Sequence, residues 1–408
     1  AIALTASLAA SGGSALVGYL PAGTGAVAST EQAKLREVKS FLDFGAAGDG
    51  VTDDYAAIVL ALAAATKIDG GGRTYKTSQA INIPPAVSVK DAVFNLTALT
   101  TGNGFTTRVG SKLTGIKVLY SSTFSGVGWY FTTEDNASST SVSNLDSNEY
   151  LQQNVVVEKQ MPTTGIAWDW YTAAAGIAIK WEGVDNPDPV LTSGFWGGLL
   201  DNVIIKGVWL QAALLTDDGT GWITSSTWRH VIIDGARRGI ELNSGGGAYP
   251  KLGNLKFDSV HMQGWRWTKA GQADVVTEWM LNVESALYCD FTGFQPQDFD
   301  GAYGITNYIR FGVNGNRNYF QSTYITTDNA ISNLGIGNWW DTLIGRSFPN
   351  IINSTNIRTL DYYLEGSFTP SFVGTGLTIG YLIQQGYYTR IGNRVHFNLY
   401  IKVNSLSG

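Results

Sequence analysis

A single cysteine, Cys289, stands among 408 residues, so no disulfide can close within the chain and nothing suggests a disulfide-stapled domain. Charge is scarce too. Asp, Glu, Lys and Arg make up 15% of the residues, where roughly 25% is usual for globular domains. What charge there is leans acidic, with a net charge of −6. Phosphate binding wants a basic face, so no nucleic-acid partner is expected. No run of 18 apolar residues occurs, and no membrane insertion is expected. Residues 1–28 are small and apolar but lack the basic start of a secretory signal. The sequence opens without Met and reads as a fragment or a processed product. Phosphate-loop, zinc-ligand and nucleophile-elbow spacings are all missing, so no cofactor and no metal are expected.

Glycine and tryptophan are plentiful instead, at 49 and 13 residues. Abundant Gly with little charge suits a β-rich fold with many turns. The densest acidic stretch is FLDFGAAGDGVTDD (41–54), which holds Asp43, Asp49, Asp53 and Asp54. A calcium loop counted from Asp49 fails, because Val51 and Asp54 fall where an oxygen ligand and a glycine are needed. The remaining reading is structural: a turn at Gly48, Asp49 and Gly50, then a helix over 53–66 capped at Thr52 or Asp53. That helix is apolar nearly all round, so it should be covered on most sides and close one end of the fold.

From residue 70 the texture becomes short alternating runs broken by Gly and Pro. A repeat emerges from IAIKW (177–181), VIIKG (203–207), VIIDG (231–235), LKFDS (255–259), LYCDF (287–291) and NYFQS (318–322). One strand per repeat with variable insertions predicts a parallel β-helix rather than a propeller. A second strand follows each of these segments. Period-2 logic turns Val208, Ile240, Val260, Thr292 and Thr323 inward, with Leu210, Leu242, Met262, Phe294 and Ile325. It turns outward one column of Trp209, Glu241, His261, Gly293 and Tyr324, and another of Gln211, Asn243, Gln263, Gln295 and Thr326. Cys289 falls on an inward position, as an inert core thiol would. The boundaries expected are a connector over 1–40, an opening motif with its capping helix over 41–69, and the β-helix over 70–345. A linker over 346–366 and a small C-terminal β domain over 367–408 follow, the last with a hairpin turn at IGNRV.

VKSFLDFGAAGDGVTDDYAAIVLAL resembles the opening motif of the pectate-lyase-like β-helix superfamily, bacteriophage tailspikes above all. GGGRTYKTSQAINIP resembles the first coil of the same proteins, residues 4–37 their neck, and 367–399 the C-terminal β domain of many tail fibres and spikes. The resemblance implies an all-β, right-handed parallel β-helix capped by an N-terminal helix, with a small C-terminal β domain, assembled as a homotrimer. It also implies an endo-acting depolymerase on the virion tail, acting at the host cell surface. Its substrate would be bacterial surface polysaccharide such as capsule, O-antigen or exopolysaccharide. The N-terminal region would meet other tail or baseplate proteins. Hydrolysis by paired carboxylates is the leading chemistry. A polysaccharide lyase and a non-catalytic receptor-binding fibre are the alternatives.

Outward columns of a solenoid rise about 4.8 Å per coil, close to the roughly 5–5.5 Å carboxyl separation of retaining glycosidases. Asp234 and Asp258, read as stacked neighbours, are catalytic candidates on that ground. Asp290, one coil further on, would give the wider inverting separation with Asp234. Glu241 is the leading acid, with Trp209 before it to stack on a sugar and His261 after it to hydrogen-bond a hydroxyl. Gln211, Gln263 and Gln295 offer amides for hydroxyl recognition. Arg237 and Arg238 could neutralise a uronate carboxylate in the lyase alternative or pair with Glu241. Asp217 and Asp218 beside Trp222 form a further cluster. Against each acid stands the ordinary role of a strand-end Asp bonding turn amides.

Overall fold

The computed structural model describes residues 2–133, 151–184, 194–219, 221–245, 250–297, 309–321, 323–324, 331–333, 335, 338–340, 343–344, 363–372, 378–391 and 394–407. Two compact units emerge, Ala1–Ile352 and Asn353–Gly408.

Left-handed corners shape the first unit. Asp91, Gly115, Asn154, Asn202, His230, Ser259 and Gly293 all have positive φ. Each separates two short strand runs, and each run pairs in parallel with its counterpart one coil away. A side chain at such a φ crowds its own backbone, which Gly, Asn and Asp tolerate best. Asn202 Nδ2 donates to Asn154 Oδ1 at 2.6 Å, tying two corners together along the axis. The result is one continuous sheet of 23 strands in the described residues, curled into a parallel β-helix. The expected β-helix is therefore present.

The core is a pile of rings. Phe131 lies 5.0 Å from Trp181, Trp181 5.1 Å from Trp228, and Trp228 5.7 Å from Phe257. Phe257, Phe291 and Phe320 then stack nearly parallel at 5.0 and 4.5 Å. All are fully buried. Each aromatic buries about 150–250 Å², worth at most about 4–6 kcal/mol by area. Cys289 lies in the same core, and burial pushes its thiol up to about 12.

The opening segment closes one end. Asp49 Oδ1 accepts from the amides of Val51 and Thr52, both at 2.8 Å. Asp53 accepts from the Tyr55 amide and from Ser78. Asp54 is buried and accepts from the amides of Ala47 and Gly48. Asp43 completes a capping box with Ser40. The helix spans Tyr55–Ala64, and its N-cap is Asp54 rather than Thr52 or Asp53. Its inner side, Ala57, Ile58, Ala61 and Leu62, enters the core, but Val59 and Leu60 are exposed. The helix is thus covered on one side only, where its composition predicts cover on most sides.

Three of the repeat's expected pairings need correction. VIIKG and VIIDG do align, with Lys206 opposite Asp234. The next coil does not follow: Asp258 pairs with Arg229, and His261 with Ile232. Asp290 pairs with Lys256 and Tyr319, outside the column of either Asp234 or Asp258. The cause is the corner. One coil contains two short strand runs, one before and one after His230 or Ser259, and both end in a charged or polar residue. Thr292 and Leu210 are half-buried instead of inward. Val208 packs under Tyr171 and Trp267 in a separate small cluster. The readings of Ile325 and Thr326 lie outside the described residues.

The second unit is a three-stranded antiparallel sheet of Tyr363–Phe368, Thr378–Ile391 and Arg394–Ser407. Ile391 sits opposite Arg394, so the strands meet as a hairpin there. Residues 346–362, most of the expected linker, lie outside the described residues.

Candidate functional site

Trp209 is fully buried, against the expectation of an outward sugar platform. Gly207 bends the chain at φ 100°, which resets the alternation, so Trp209 turns into the core against Tyr120 and Phe124. Period-2 counting holds only within one strand. Its indole Nε1 donates to the Lys206 carbonyl at 2.8 Å.

Glu241 does face outward and is half-buried. Its strand neighbours are Leu214 on the preceding coil and Asn282 on the following one, not Trp209 and His261. Gln211 Nε2 donates to Glu241 Oε2 at 3.0 Å, and Asn243 Nδ2 donates to Oε1 at 3.2 Å. Asn282 Oδ1 is buried beside it without a hydrogen-bond partner. Further along the same column stand Tyr130 and Lys180 on earlier coils and Arg310 on a later one. Glu182 sits two residues beyond Lys180. Its carboxylate accepts from Lys180 Nζ at 2.9 Å and Tyr130 Oη at 2.5 Å. Sequence reading missed Glu182, Tyr130 and Asn282. The period-2 alternation in WYFT and IKWEG could have shown the first two.

The other candidates are scattered. Arg237 and Arg238 both bind Glu278, at 2.8 and 2.5 Å, rather than Glu241. Asp234 is exposed, with no acid opposite it. Asp258 accepts from Ser259 Oγ and lies in a charge ladder with Arg229 and Asp201. Arg229 grips Asp201 with two bonds of 3.0 and 2.7 Å, and His230 Nδ1 lies 3.0 Å from the same carboxylate. The guanidinium holds the Asp201 carboxyl down to about 2. Gln211, Asn243, Gln263 and Gln295 do not form one column. They sit opposite Arg238, Thr216, Gln297 and His261 respectively. Asp217 serves turns by accepting from the Gly219 and Gly245 amides, and Asp218 accepts from Gly221.

A groove of about 550 Å³ opens elsewhere on the solenoid, lined by Trp222, Thr224, Lys251, Asn254 and Tyr288 among others. Among the described residues no three His, Cys, Asp or Glu side chains converge as a metal site.

Comparison with known proteins bears on the opening segment. Residues 46–95 match the N-terminal extension of bacteriophage endosialidase. A stretch of 66 residues is 47% identical to the tail spike protein of an Escherichia phage. The opening segment is therefore similar to segments of phage tail proteins. The match takes in 16% of this chain and only 8% of that relative. Among solved structures, the tailspike protein of E. coli bacteriophage HK620 in complex with pentasaccharide is similar at 11% identity and a TM-score of 0.43, over 85% of this chain and 71% of that one. Tailspike protein 3 of bacteriophage CBA120 is similar at 12% identity and a TM-score of 0.25, over 89% and 72%. Likenesses this distant say nothing about individual residues.

Proposed function

We propose that the chain binds and depolymerises bacterial surface polysaccharide at the Glu241 face, by glycosidic hydrolysis. The observation that carries this reading is the setting of Glu241. An outward carboxylate held by two side-chain amides, amid Tyr130, Lys180, Asn282 and Arg310, is a surface built from sugar hydrogen-bonding groups. Glu182 is the partner acid. Its strand is two coils from that of Glu241, through Thr216 and Asn243. That is about 9.6 Å along the axis and about 6.8 Å along the strand, so the two side chains have to lean toward one another to reach the roughly 6.5–9.5 Å carboxyl separation of inverting enzymes. Glu241 then protonates the glycosidic oxygen. Glu182, with Lys180 and Tyr130 donating to it, activates a water on the opposite face of the sugar. Asp234 and Asp258 take no part.

Three copies would form the working tailspike, attached to the tail through the N-terminal region. The outward apolar run Val156, Ile204 and Ile232 supports a contact between copies, since a solvated sheet face normally carries polar residues there.

The test is to incubate the protein with purified capsule and O-antigen and measure oligosaccharide release, then repeat with Glu241→Gln and Glu182→Gln. Hydrolysis predicts release with a new reducing end and no unsaturated uronate absorbance. Unsaturated product would make the enzyme a lyase. Binding without release from any glycan would leave a receptor-binding fibre.

A further inference from the structure

Two excursions leave the solenoid and meet outside its core. The first, 160–174, lies between the strands Leu151–Lys159 and Ala175–Gly183 and carries the helix Ala167–Thr172. The second, 264–278, lies between Lys256–Gln263 and Trp279–Leu287. It carries a short antiparallel pair, Arg266–Trp267 with Val275–Val276. Aromatic side chains join the two. Tyr171 stacks on Trp267 at 3.6 Å and 12°. Trp168 Nε1 donates to the Ala273 carbonyl at 2.9 Å. Lys269 pairs with Asp169 and stands 4.9 Å from the Trp168 ring. Tyr171, Trp267 and Val208 form a small buried cluster that shares no member with the main core. A patch with its own contacts and few ties to the core can open without unravelling the ladders beneath it.

The bases of the two excursions are closed differently. At the second, the Trp265 amide donates to Thr277 Oγ1 and the Thr277 amide to the Trp265 carbonyl, both at 2.9 Å. At the first, a cation does the closing. Lys159, the last residue before the excursion, donates from Nζ to the carbonyl of Ala175, the first residue after it, at 2.9 Å. Lys159 is only 3% exposed, and its Nζ stands 5.3 Å from the Trp209 ring. Around it are Tyr120, opposite it in the ladder, then Glu158, Lys117 and Lys206 about the strand end, and Tyr171 with Asp234. None of these described groups bonds to the Lys159 amine. One carbonyl and one ring face replace the water around a buried ammonium, which is costly. Burial alone brings the Lys159 amine down from 10.5 to about 8. Glu278, at the end of the second excursion, holds Arg237 and Arg238, and Arg238 lies opposite Gln211. Movement of the excursions therefore reaches the Gln211 side of the Glu241 face.

We propose that the two excursions form one clasp that opens and closes on the solenoid as a unit, and that a proton on Lys159 favours the open form. The clasp stands whether or not Glu241 acts on a glycan. In the closed form the Lys159 amine titrates below its ordinary value, so closure disfavours the protonated amine. That cost is complete below about pH 8 and gone above about pH 10.5. The clasp therefore tightens as the pH rises through that window. Between pH 7 and pH 9 ordinary carboxylates stay ionised and ordinary Lys and Arg side chains stay protonated, so the latching ion pairs do not change. Burial, and then the Asp234 carboxylate, push the Tyr171 phenol up. Its ionisation would favour opening at more alkaline pH, which sets the upper limit of the test.

Hydrogen exchange of the full chain, read by mass spectrometry at pH 7 and pH 9 and corrected for the intrinsic exchange rate, tests both parts. Peptides with unimodal mass envelopes are compared, so that protection reports the opening equilibrium. Protection of 160–174 and 264–278 should rise together about tenfold from pH 7 to pH 9, while that of the solenoid strand 199–217 stays level. Lys159→Met should remove the rise and hold protection at or above the pH 9 level of the unaltered chain. Where that variant does not fold, Lys159→Arg decides, since it keeps the cation and should stay weakly protected at both pH values. Trp267→Ala should lower protection of both excursions at least about fivefold and spare 199–217. No rise in the unaltered chain, or a rise that persists in Lys159→Met or Lys159→Arg, overturns the role of Lys159. Loss confined to 264–278 in Trp267→Ala overturns the clasp as a unit.

Discussion

Asp54 and Glu241 each accept two hydrogen bonds, but the donors differ in kind. Asp54, buried at the start of the opening helix, takes the backbone amides of Ala47 and Gly48, at 2.6 and 3.1 Å. Glu241 takes the side-chain amides of Gln211 and Asn243 on a half-buried outer face. A backbone amide in a packed turn has no second partner to turn to, so its carboxylate is committed to the fold. A side-chain amide can rotate to a sugar hydroxyl and back, so its carboxylate remains usable for chemistry. The same residue class is architecture in one place and a reagent in the other, and the donors decide which.

The largest expected effect tests the usable side of this contrast. Glu241→Gln keeps the shape but removes the proton donor and one of the two acceptor oxygens. Polysaccharide release should fall about 10²- to 10⁴-fold, the usual contribution of a positioned acid or base, with the unfolding temperature nearly unchanged. Full activity in this variant would return Glu241 to architecture. Asp54→Ala is the converse. It strands the buried Gly48 amide and the part-buried Ala47 amide and should cost about 1–3 kcal/mol of stability, read by denaturant unfolding followed by circular dichroism. Protein that remains folded should keep its rate of glycan release. A cost below about 0.5 kcal/mol, the level of an ordinary surface change, would mean that the opening turn does not depend on its acid.

How much of this was legible from residues alone follows from the same distinction. FLDFGAAGDGVTDD could be read as structural because its spacing fails every ligand template, and the amide bonds of Asp49, Asp53 and Asp54 agree. Solenoid class, the inward Ile240, Leu242, Val260 and Met262, and the core thiol of Cys289 were also legible, since inward positions must be apolar. Register was not. Alternation counts residues along one strand, and it loses phase wherever a left-handed corner intervenes. Trp209 went to the wrong side through Gly207, and Asp258 to the wrong partner through His230 and Ser259. The corners themselves carry a signal. Asp91, Gly115, Asn154, Asn202 and Gly293 are types that tolerate positive φ, and aligning on them instead of on the apolar triplets would have placed Asp258 beside Arg229.

The smallest effect separates two acids that look alike by titration. Asp49 and Asp201 are both held down to about 2, from 3.8. Asp49 owes this first to the backbone amides of Thr52 and Val51, and Asp201 first to the Arg229 guanidinium. Because each folded value lies below the ordinary one, each contribution is complete above about pH 4 and drains away as the pH falls toward 2. The two losses should respond differently to salt. An exposed ion pair is screened at an ionic strength of about 0.5 M, where the Debye length shrinks to about 4 Å, whereas a bond to a backbone amide depends far less on mobile ions. Arg229 is 41% exposed, so the Asp201 contribution is the part that salt reaches. Unfolding temperatures measured from pH 5 to pH 2 at low and high salt should show both. Asp201→Asn should remove the salt-sensitive part of the acid loss, and Asp49→Asn the salt-insensitive part. If the two variants flatten the same part, then the donor type does not decide how a carboxylate is bound into this solenoid, and the contrast between Asp54 and Glu241 loses its physical basis.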